Sequence, residues 1–235
     1  SLFPIEVMVC VINNFGGFYH TFVYFNEAKR WAAALQLPCV NHGDHLTTVT
    51  GNQVYVGFIH VKGLETALCK RVVAERKRGG LFADLFDFIN RVPVGSEQIT
   101  LLIRCGALRF TTKSKASLLW EAHLYLGRGK GATEQGSLFA VPRQSFSLPP
   151  LETSPLEDAY DELNLIGFPI TLSHFDLLQT RFRGGARAAH LPQAVGLTVK
   201  MLGNLVTIKY VRTSKGELMH FGCFLDPDGE VFDTV

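Results

Sequence analysis

The sequence predicts an α+β chain in which a helical region is followed by a short series of β-strands. Two stretches, 65–78 and 113–126, carry apolar residues at helical spacing, and a glycine turn precedes each of them. From Gly196 onward the apolar residues form strand-like runs that are separated by turn-forming residues. The helices and the strands are therefore expected in separate parts of the chain.

The N-terminal region combines helical segments with an extended path. Asn26 is predicted to cap a helix that continues to about Leu35. His42, Asp44 and His45 then form the only close His/Asp cluster in the sequence. A metal site there would need a third or fourth ligand, so a solvated turn is the alternative interpretation.

The first glycine turn follows the apolar run 54–59 and occupies residues 61–64. A helix is predicted to continue from it to Arg78, with Gly80 as the stop. A glycine turn that opens a helix leaves backbone N–H groups free, which makes Gly63 a candidate phosphate contact. The alternative is a strand, a turn and a helix that pack only for stability.

The second glycine turn lies at residues 105–108. Ser96 is predicted to cap a helix that ends at Arg104, the turn is placed at Gly106, and Thr111 or Thr112 is expected to cap the next helix. The same pattern thus occurs twice within about 70 residues, which is more informative than either copy alone.

The region after the second motif is predicted to be a linker followed by further helices. Residues 127–150 are rich in Gly, Ser, Gln and Pro, and their glycine spacing does not match a phosphate-binding loop. An acidic helix is expected over 156–165, and Ser173 is expected to cap another that ends near Arg183.

The C-terminal strands favour the opening of a small Greek-key barrel of the OB type. The run 197–213 contains Gly203, which suggests a bulge or bend, and two hairpins follow it. Three strands are present where an OB barrel needs about five, so the barrel is predicted to be incomplete. Three cations on or near its exposed face are candidates for contact with single-stranded nucleic acid, although exposed strand lysines also serve as edge protection: Lys209, Arg212 and Lys215.

The charge distribution points to a polyanionic partner. The whole chain has a net charge of only +2, but residues 60–130 hold thirteen basic and six acidic side chains. A charge run is more often a solvated face, but this segment also contains both glycine turns, and the coincidence makes nucleic acid an equally good interpretation.

Composition narrows the class of protein further. With 47% hydrophobic residues the 235-residue chain can bury a core, and no run approaches the roughly 18 apolar residues of a membrane helix. The five scattered cysteines form no C-x-x-C pair, which argues against zinc and favours a cytoplasmic location. Both ends look cut, so we expect a piece of a longer protein.

Several segments together resemble one family. "INNFGGFYHTFVYFNEAKRW" with "LPCVN", "GFIHVKGLETALCKRVVAER", "GLFADLFDFINRV", "LIRCGALRFTTKSKASLLWEAH", "DAYDELNLIGFPIT" and "TVKMLGNLVTIKYVRTSKGELMHFGCFLD" are similar, in this order, to the C-terminal part of bacterial DNA polymerase III alpha subunits. The resemblance covers nearly the whole chain and is nearest to the error-prone branch of these C-family DNA polymerases.

This resemblance implies a fold and a division into regions. It implies an α+β fold with tandem helix-hairpin-helix motifs followed by an incomplete OB-type barrel. The implied regions are the end of the polymerase fingers (1–53), the helix-hairpin-helix region (54–130), a linker with helices (131–194) and the truncated OB domain (195–235).

The resemblance also implies a function in DNA replication or translesion synthesis. We expect a non-specific grip on primer-template DNA, both duplex and single-stranded template. The catalytic carboxylates and the magnesium of the parent nucleotidyltransferase are expected upstream, so this piece is expected to be inactive alone, with no cofactor of its own. The alternative is a docking module for a sliding clamp or another polymerase subunit, served by Asp158, Asp161 and Glu162 and the apolar strands.

The candidate DNA contacts are the two turns with their flanking cations and the strand cations. They are Lys62, Gly63, Lys70, Arg71, Arg104, Gly106, Arg109, Lys113, Lys115, Lys209, Arg212 and Lys215. The first hairpin of this family usually contains a pair of glycines. In this chain the second glycine of the pair is replaced by another residue near Glu65. An acidic side chain weakens a phosphate site, so Gly106 is the first choice for touching DNA.

Overall fold

The computed structural model describes residues 3–17, 19–129 and 154–235. It forms two compact units, which we call the central unit (34–170) and the split unit (1–33 with 171–235). The helices are α1 Pro4–Asn13, α2 Thr21–Arg30, α3 Thr66–Gly79, α4 Leu85–Arg91, α5 Ser96–Arg104, α6 Lys115–Gly129 and α7 Pro155–Leu165. The strands are β1 Ala34–Gln36, β2 Thr48–Thr50, β3 Gln53–Tyr55, β4 Asn204–Arg212, β5 Leu218–Leu225 and β6 Val231–Thr234.

The central unit is a helical assembly with a small sheet at its beginning. The sheet has the order β1-β3-β2, with β1 parallel and β2 antiparallel to β3. A short 3-10 helix, Phe58–His60, leads from it to the first glycine turn. Leucine, isoleucine and valine side chains at helical spacing on α3 and α5 are buried and form the core between the helices.

Local signals in the sequence define most helix boundaries in the central unit. Gly80 ends α3 with a left-handed φ of +78°. Asp84 caps α4 by accepting a hydrogen bond from the N–H of Asp87 at 2.9 Å. Ser114 accepts from the N–H of Ser117 at 3.1 Å and so caps α6.

Polar side chains hold the loops of the central unit on its helices. The buried amide of Asn41 donates to the carbonyl of Phe82 at 2.9 Å and accepts from its N–H at 2.8 Å. Arg76 donates to the carbonyl oxygens of Val40 and Gly43 at 2.7 and 2.8 Å. These contacts satisfy backbone groups that have no partner in regular secondary structure.

The split unit combines the α1–α2 pair with an antiparallel sheet of order β4-β5-β6. The buried carboxylate of Asp226 shapes the β5–β6 turn, because its Oδ1 accepts from the N–H groups of Asp228 and Glu230, both at 2.9 Å. A side chain at Gly203 would meet Phe232 and Phe224 within 3 Å, so glycine permits close packing just before β4.

Six element predictions were wrong in detail. Two concern caps: Gly95, not Ser96, is the N-cap residue of α5, and Ser114, not Thr111 or Thr112, caps α6.

Asn26 lies inside α2, and the chain from Ala34 to Gln36 is a strand, because tertiary pairing with β3 overrides local helical propensity. Residues 174–177 form only a turn, in which Asp176 accepts from the N–H of Ser173 at 2.8 Å.

The other two concern boundaries. Strand β4 begins at Asn204 instead of near residue 197. Its register shift lies between Leu205 and Thr207, just after Gly203, where the bulge was predicted. Helix α6 continues to Gly129, so the first residues of the expected linker are helical. The remainder of that linker lies outside the described residues. In the described part of the chain, no helix is long and apolar enough to cross a membrane.

Candidate functional site

The first glycine turn is exposed and opens directly onto α3. Gly63 has a φ of +79°, and the N–H of Leu64 donates to Val61 at 3.2 Å to close the turn. Among the described residues, the N–H groups of Gly63, Thr66 and Ala67 have no hydrogen-bond acceptor. The turn therefore presents unpaired donors at the positive end of a helix dipole.

Gln98 of α5 holds this turn in shape. Its side-chain Nε2 donates to the carbonyl of Gly63 at 3.0 Å, and its Oε1 accepts from the N–H of Glu65 at 2.9 Å. One side-chain amide thus joins Gly63 to Glu65. Since Gln98 lies on α5, the helix before the second glycine turn holds the first turn in position.

The cations beside the first turn are exposed and unneutralised. Lys62 and Lys70 have no ion pair within the described residues. Arg71 has only a long hydrogen bond of 3.4 Å from Nη2 to the carbonyl of Pro93. Glu65 is the N-cap residue of α3, and its side chain makes no capping hydrogen bond.

The second glycine turn has a different construction. The N–H of Gly106 donates to Ile103 at 3.0 Å, and the N–H of Ala107 donates to Leu102 at 2.9 Å. This pair of bonds is a Schellman motif, which consumes the donors in capping α5. Gly106 is buried, and a Cβ there would lie 2.8 Å from Leu37 Cδ1, so the turn packs against the chain after β1.

The cations that flank the second turn are all engaged within the central unit. Arg104 and Lys115 pair with Asp161 of α7 at 2.6 and 3.4 Å, and Lys115 also pairs with Asp158 at 2.9 Å. The remaining two act locally: Lys113 pairs with Glu121 at 2.5 Å, and Arg109 donates to the carbonyls of Pro38 and Gly106 at 2.8 and 3.2 Å.

The same contacts account for the acidic helix. Asp158 and Asp161 face Arg104 and Lys115, as described above. Glu162 is fully buried, and its carboxylate accepts from the N–H of Ile170 at 2.6 Å. The acidic side chains named for protein docking thus have structural partners inside the unit.

The strand cations of the split unit stand on the surface. Lys209, Arg212 and Lys215 are exposed, the first two on β4 and the third in the β4–β5 turn. Tyr210 and His220 lie opposite each other on the paired strands, with ring centroids 4.7 Å apart. Both faces of the outer part of the sheet are open to solvent.

His60, a neighbour of His45 from the His42–Asp44–His45 cluster, makes polar contacts within the central unit. His60 Nε2 lies 3.1 Å from the hydroxyl of Thr47, which in turn accepts from the N–H of Gly57 at 3.1 Å. Burial, and then the neighbouring His45, lowers the pKa of His60 from 6.5 to about 4. No group of three or more potential metal ligands occurs in residues 3–17, 19–129 or 154–235.

Two features were missed from the sequence. Gln98 carries no motif, and its bond partners lie 33 and 35 residues away, so only the fold brings them together. The second is an arginine network around Glu75, which bonds Arg78 Nη2 at 2.8 Å and Arg91 Nε at 3.1 Å. The Glu75–Arg78 spacing of three residues was the one available signal.

Comparison with known proteins places the chain in a family. Residues 33–118 match the model of a helix-hairpin-helix motif, which covers both glycine turns. DNA polymerase III subunit alpha of Treponema pallidum is 27% identical in an alignment of 248 positions that covers 97% of this chain and 21% of that protein.

Two further relatives extend the comparison. DNA polymerase III subunit alpha of Aquifex aeolicus is 27% identical over 164 residues, covering 66% of this chain and 13% of its own length. The error-prone DNA polymerase of Mycobacterium tuberculosis is 34% identical over 108 residues, covering 45% of this chain and 10% of that protein. The chain thus spans about a fifth or less of these relatives, and it belongs, as a C-terminal portion, to the family of DNA polymerase III alpha subunits and error-prone DNA polymerases.

Proposed function

We propose that this chain is the part of a DNA polymerase III alpha-type enzyme that holds primer-template DNA without regard to sequence. The main contact is the first glycine turn with α3, where backbone N–H groups and lysines bind phosphates. This choice reverses the ranking from sequence, which preferred Gly106. Family membership supplies DNA as the partner, and the geometry of the two turns supplies the choice between them.

The observation that carries this proposal is the exposed, unpaired donor group at Gly63 and the start of α3. It lies beside two cations, Lys62 and Lys70, that pair with no acidic side chain of the described residues. Backbone N–H groups at a helix N-terminus and free lysines are the groups that contact DNA phosphates irrespective of sequence. The Gly106 turn offers neither feature, because its donors and its cations are already paired.

The rest of the chain is assigned by the same reasoning. We propose that the two motifs form tandem helix-hairpin-helices in residues 54–130, and that 1–53 and 131–194 are the end of the fingers and the lead-in to an OB domain. Residues 195–235 would open an OB barrel, with Lys209, Arg212 and Lys215 near the single-stranded template. A bulged strand β4 and two successive antiparallel hairpins, β4–β5 and β5–β6, support this assignment.

A salt series of binding to primer-template DNA tests the main contact. We expect Lys62→Gln with Lys70→Gln to lower the slope of log K against log salt by about two, because each phosphate contact contributes about one unit. The matched control is Lys113→Gln with Lys115→Gln, which also removes two charges and is expected to leave the slope nearly unchanged. Equal losses in the two variants would contradict the choice of the first turn.

Docking to a sliding clamp or another subunit is the less favoured function, because Asp158 and Asp161 are held by Arg104 and Lys115. Polymerisation belongs to the whole parent enzyme and remains a proposal for it.

A further inference from the structure

A groove of about 260 Å³ lies between the C-terminal half of α3 and the segment that follows α4. Three arginines line it, Arg71, Arg78 and Arg91, together with Glu75 and the apolar side chains of Val92 and Pro93. It is separate from the Gly63 turn, since Arg71 and Arg78 lie on the second to fourth turns of α3.

Arg91 is a fixed wall of this groove and has no donor to spare. Its Nε bonds Glu75, Nη1 bonds Asp87 and the carbonyl of Leu81, and Nη2 bonds the carbonyls of Glu75 and Gly80. The guanidinium also lies 4.4 Å from the ring centroid of Phe82. Five hydrogen bonds and a stacked ring leave this side chain one conformation.

Arg71 and Arg78 retain free donors. Arg78 bonds Glu75 through Nε at 3.0 Å and Nη2 at 2.8 Å, which leaves Nη1 available, and its side chain is 79% exposed. Within the described part of the chain, the side chain of Arg71 makes a single hydrogen bond, of 3.4 Å, to the carbonyl of Pro93. Hydrogen bonds from Arg78 and Arg91 hold the pKa of Glu75 below its usual value, so the carboxylate is ionised and neutralised in the network. Asp87 pairs with Arg91 in the same network, so three arginines face two carboxylates and the groove keeps an excess of one positive charge.

We propose that this groove binds backbone phosphates of a nucleic-acid strand, beyond the contact made by the Gly63 turn. Guanidinium groups with free N–H donors bind phosphate oxygens in planar, bidentate geometry. Residues 71 and 78 are seven positions apart, about 10.5 Å along a helix, which equals the advance of about three nucleotides along a duplex axis at about 3.4 Å each. That spacing exceeds a single small anion and fits a strand.

The other cations of α3 favour a strand over an acidic peptide. Lys70 and Lys77 also lie exposed on this helix, again seven positions apart, and no acidic side chain of the described residues pairs with them. The helix thus presents two pairs of positive charge along about 12 Å, a repeat that matches the regular charge of a nucleic-acid backbone.

The test compares Arg71→Gln with Arg78→Gln, the Lys62→Gln with Lys70→Gln variant, and the exposed control Arg181→Gln, all in the 235-residue chain. We expect the arginine pair to weaken primer-template binding about tenfold and to lower the salt slope by about two, with no change for Arg181→Gln. Unchanged binding in the arginine variant overturns the groove. An arginine effect without a lysine effect leaves the groove standing and overturns only the Gly63 contact, because the groove rests on the proposed function solely for DNA as its ligand.

A second measurement keeps the two proposals distinct if the chain binds no DNA. Inorganic phosphate is titrated while the arginine Nε–H resonances are followed by NMR. We expect saturable shifts at Arg71 and Arg78 that exceed the shift at Arg181, and the same shifts in the lysine variant. Equal, non-saturating shifts at all three arginines overturn the phosphate site.

Discussion

The two glycine turns share a local sequence pattern and differ in what the fold does with it. Gly63 and Gly106 have almost the same backbone, with φ of +79° and +78°. The first turn stays exposed and keeps its donors, whereas the second is buried under Leu37 and its donors cap α5. A glycine in a left-handed turn therefore indicates the path of the chain, and the surroundings decide whether the turn is free to bind.

The largest expected difference between the turns is in stability. Gly106→Ala places a Cβ 2.8 Å from Leu37 Cδ1 in a left-handed conformation, and we expect a loss of about 2–3 kcal/mol. Gly63→Ala meets only Leu101 Cδ1 at 3.5 Å and is expected to cost about 1 kcal/mol. Urea unfolding of both variants measures this, and equal losses would show that the two turns are packed alike.

Low pH is expected to destabilise the folded chain through His60, which directly precedes the first glycine turn. The pKa of His60 is lowered to about 4 in the folded chain. Between pH 6.5 and 4 the unfolded state therefore binds more protons than the folded state, and stability decreases as the pH is lowered. The shift corresponds to at most about 3 kcal/mol, and about half of that after allowance for solvent screening.

Unfolding experiments at pH 7 and pH 4.5 test this dependence, with His60→Gln as the comparison. The variant is expected to lose part of the pH dependence, whereas His123→Gln, an exposed histidine on α6, is the control that keeps it. An identical pH profile for wild type and His60→Gln would contradict the assignment.

Removing the side chain that holds the first turn is expected to reduce stability and binding together. Gln98→Ala loses two hydrogen bonds to backbone groups, at a cost of about 1–2 kcal/mol, and frees the turn. Gln98→Glu keeps the acceptor for Glu65 and loses the donor to Gly63, so an intermediate DNA affinity is expected. Full DNA affinity in Gln98→Ala at a temperature where the chain is folded would show that the turn needs no support.

The smallest effect would come from releasing the cations of the second turn. Asp161→Asn removes partly exposed ion pairs with Arg104 and Lys115, at a cost of about 0.5–1 kcal/mol. If these ion pairs are what keeps Arg104 and Lys115 from contacting DNA, the slope of log K against log salt rises by about one to two in the variant. A slope equal to that of the wild type would show that burial alone keeps the second turn from binding DNA.

Local chemistry made part of this structure predictable. The periodic residues of α3 and the stop at Gly80 define that helix in sequence and structure alike, and the buried residues of α5 follow the expected face. The burial of Gly106 depends on Leu37, and the pairing of Lys115 depends on α7, far along the chain. No local pattern reports such distant partners, so the ranking of the two turns from sequence was built on charges that the fold had already neutralised.

One contact has a consequence for how this site could vary among related chains. The N–H of Lys62 donates to the carbonyl of Leu165, the last residue of α7, at 2.8 Å. Because both groups belong to the main chain, every residue type except proline at position 62 preserves the bond. The anchoring of the first turn on α7 is thus insensitive to side-chain drift, and it would persist in chains whose sequences at these two positions share nothing.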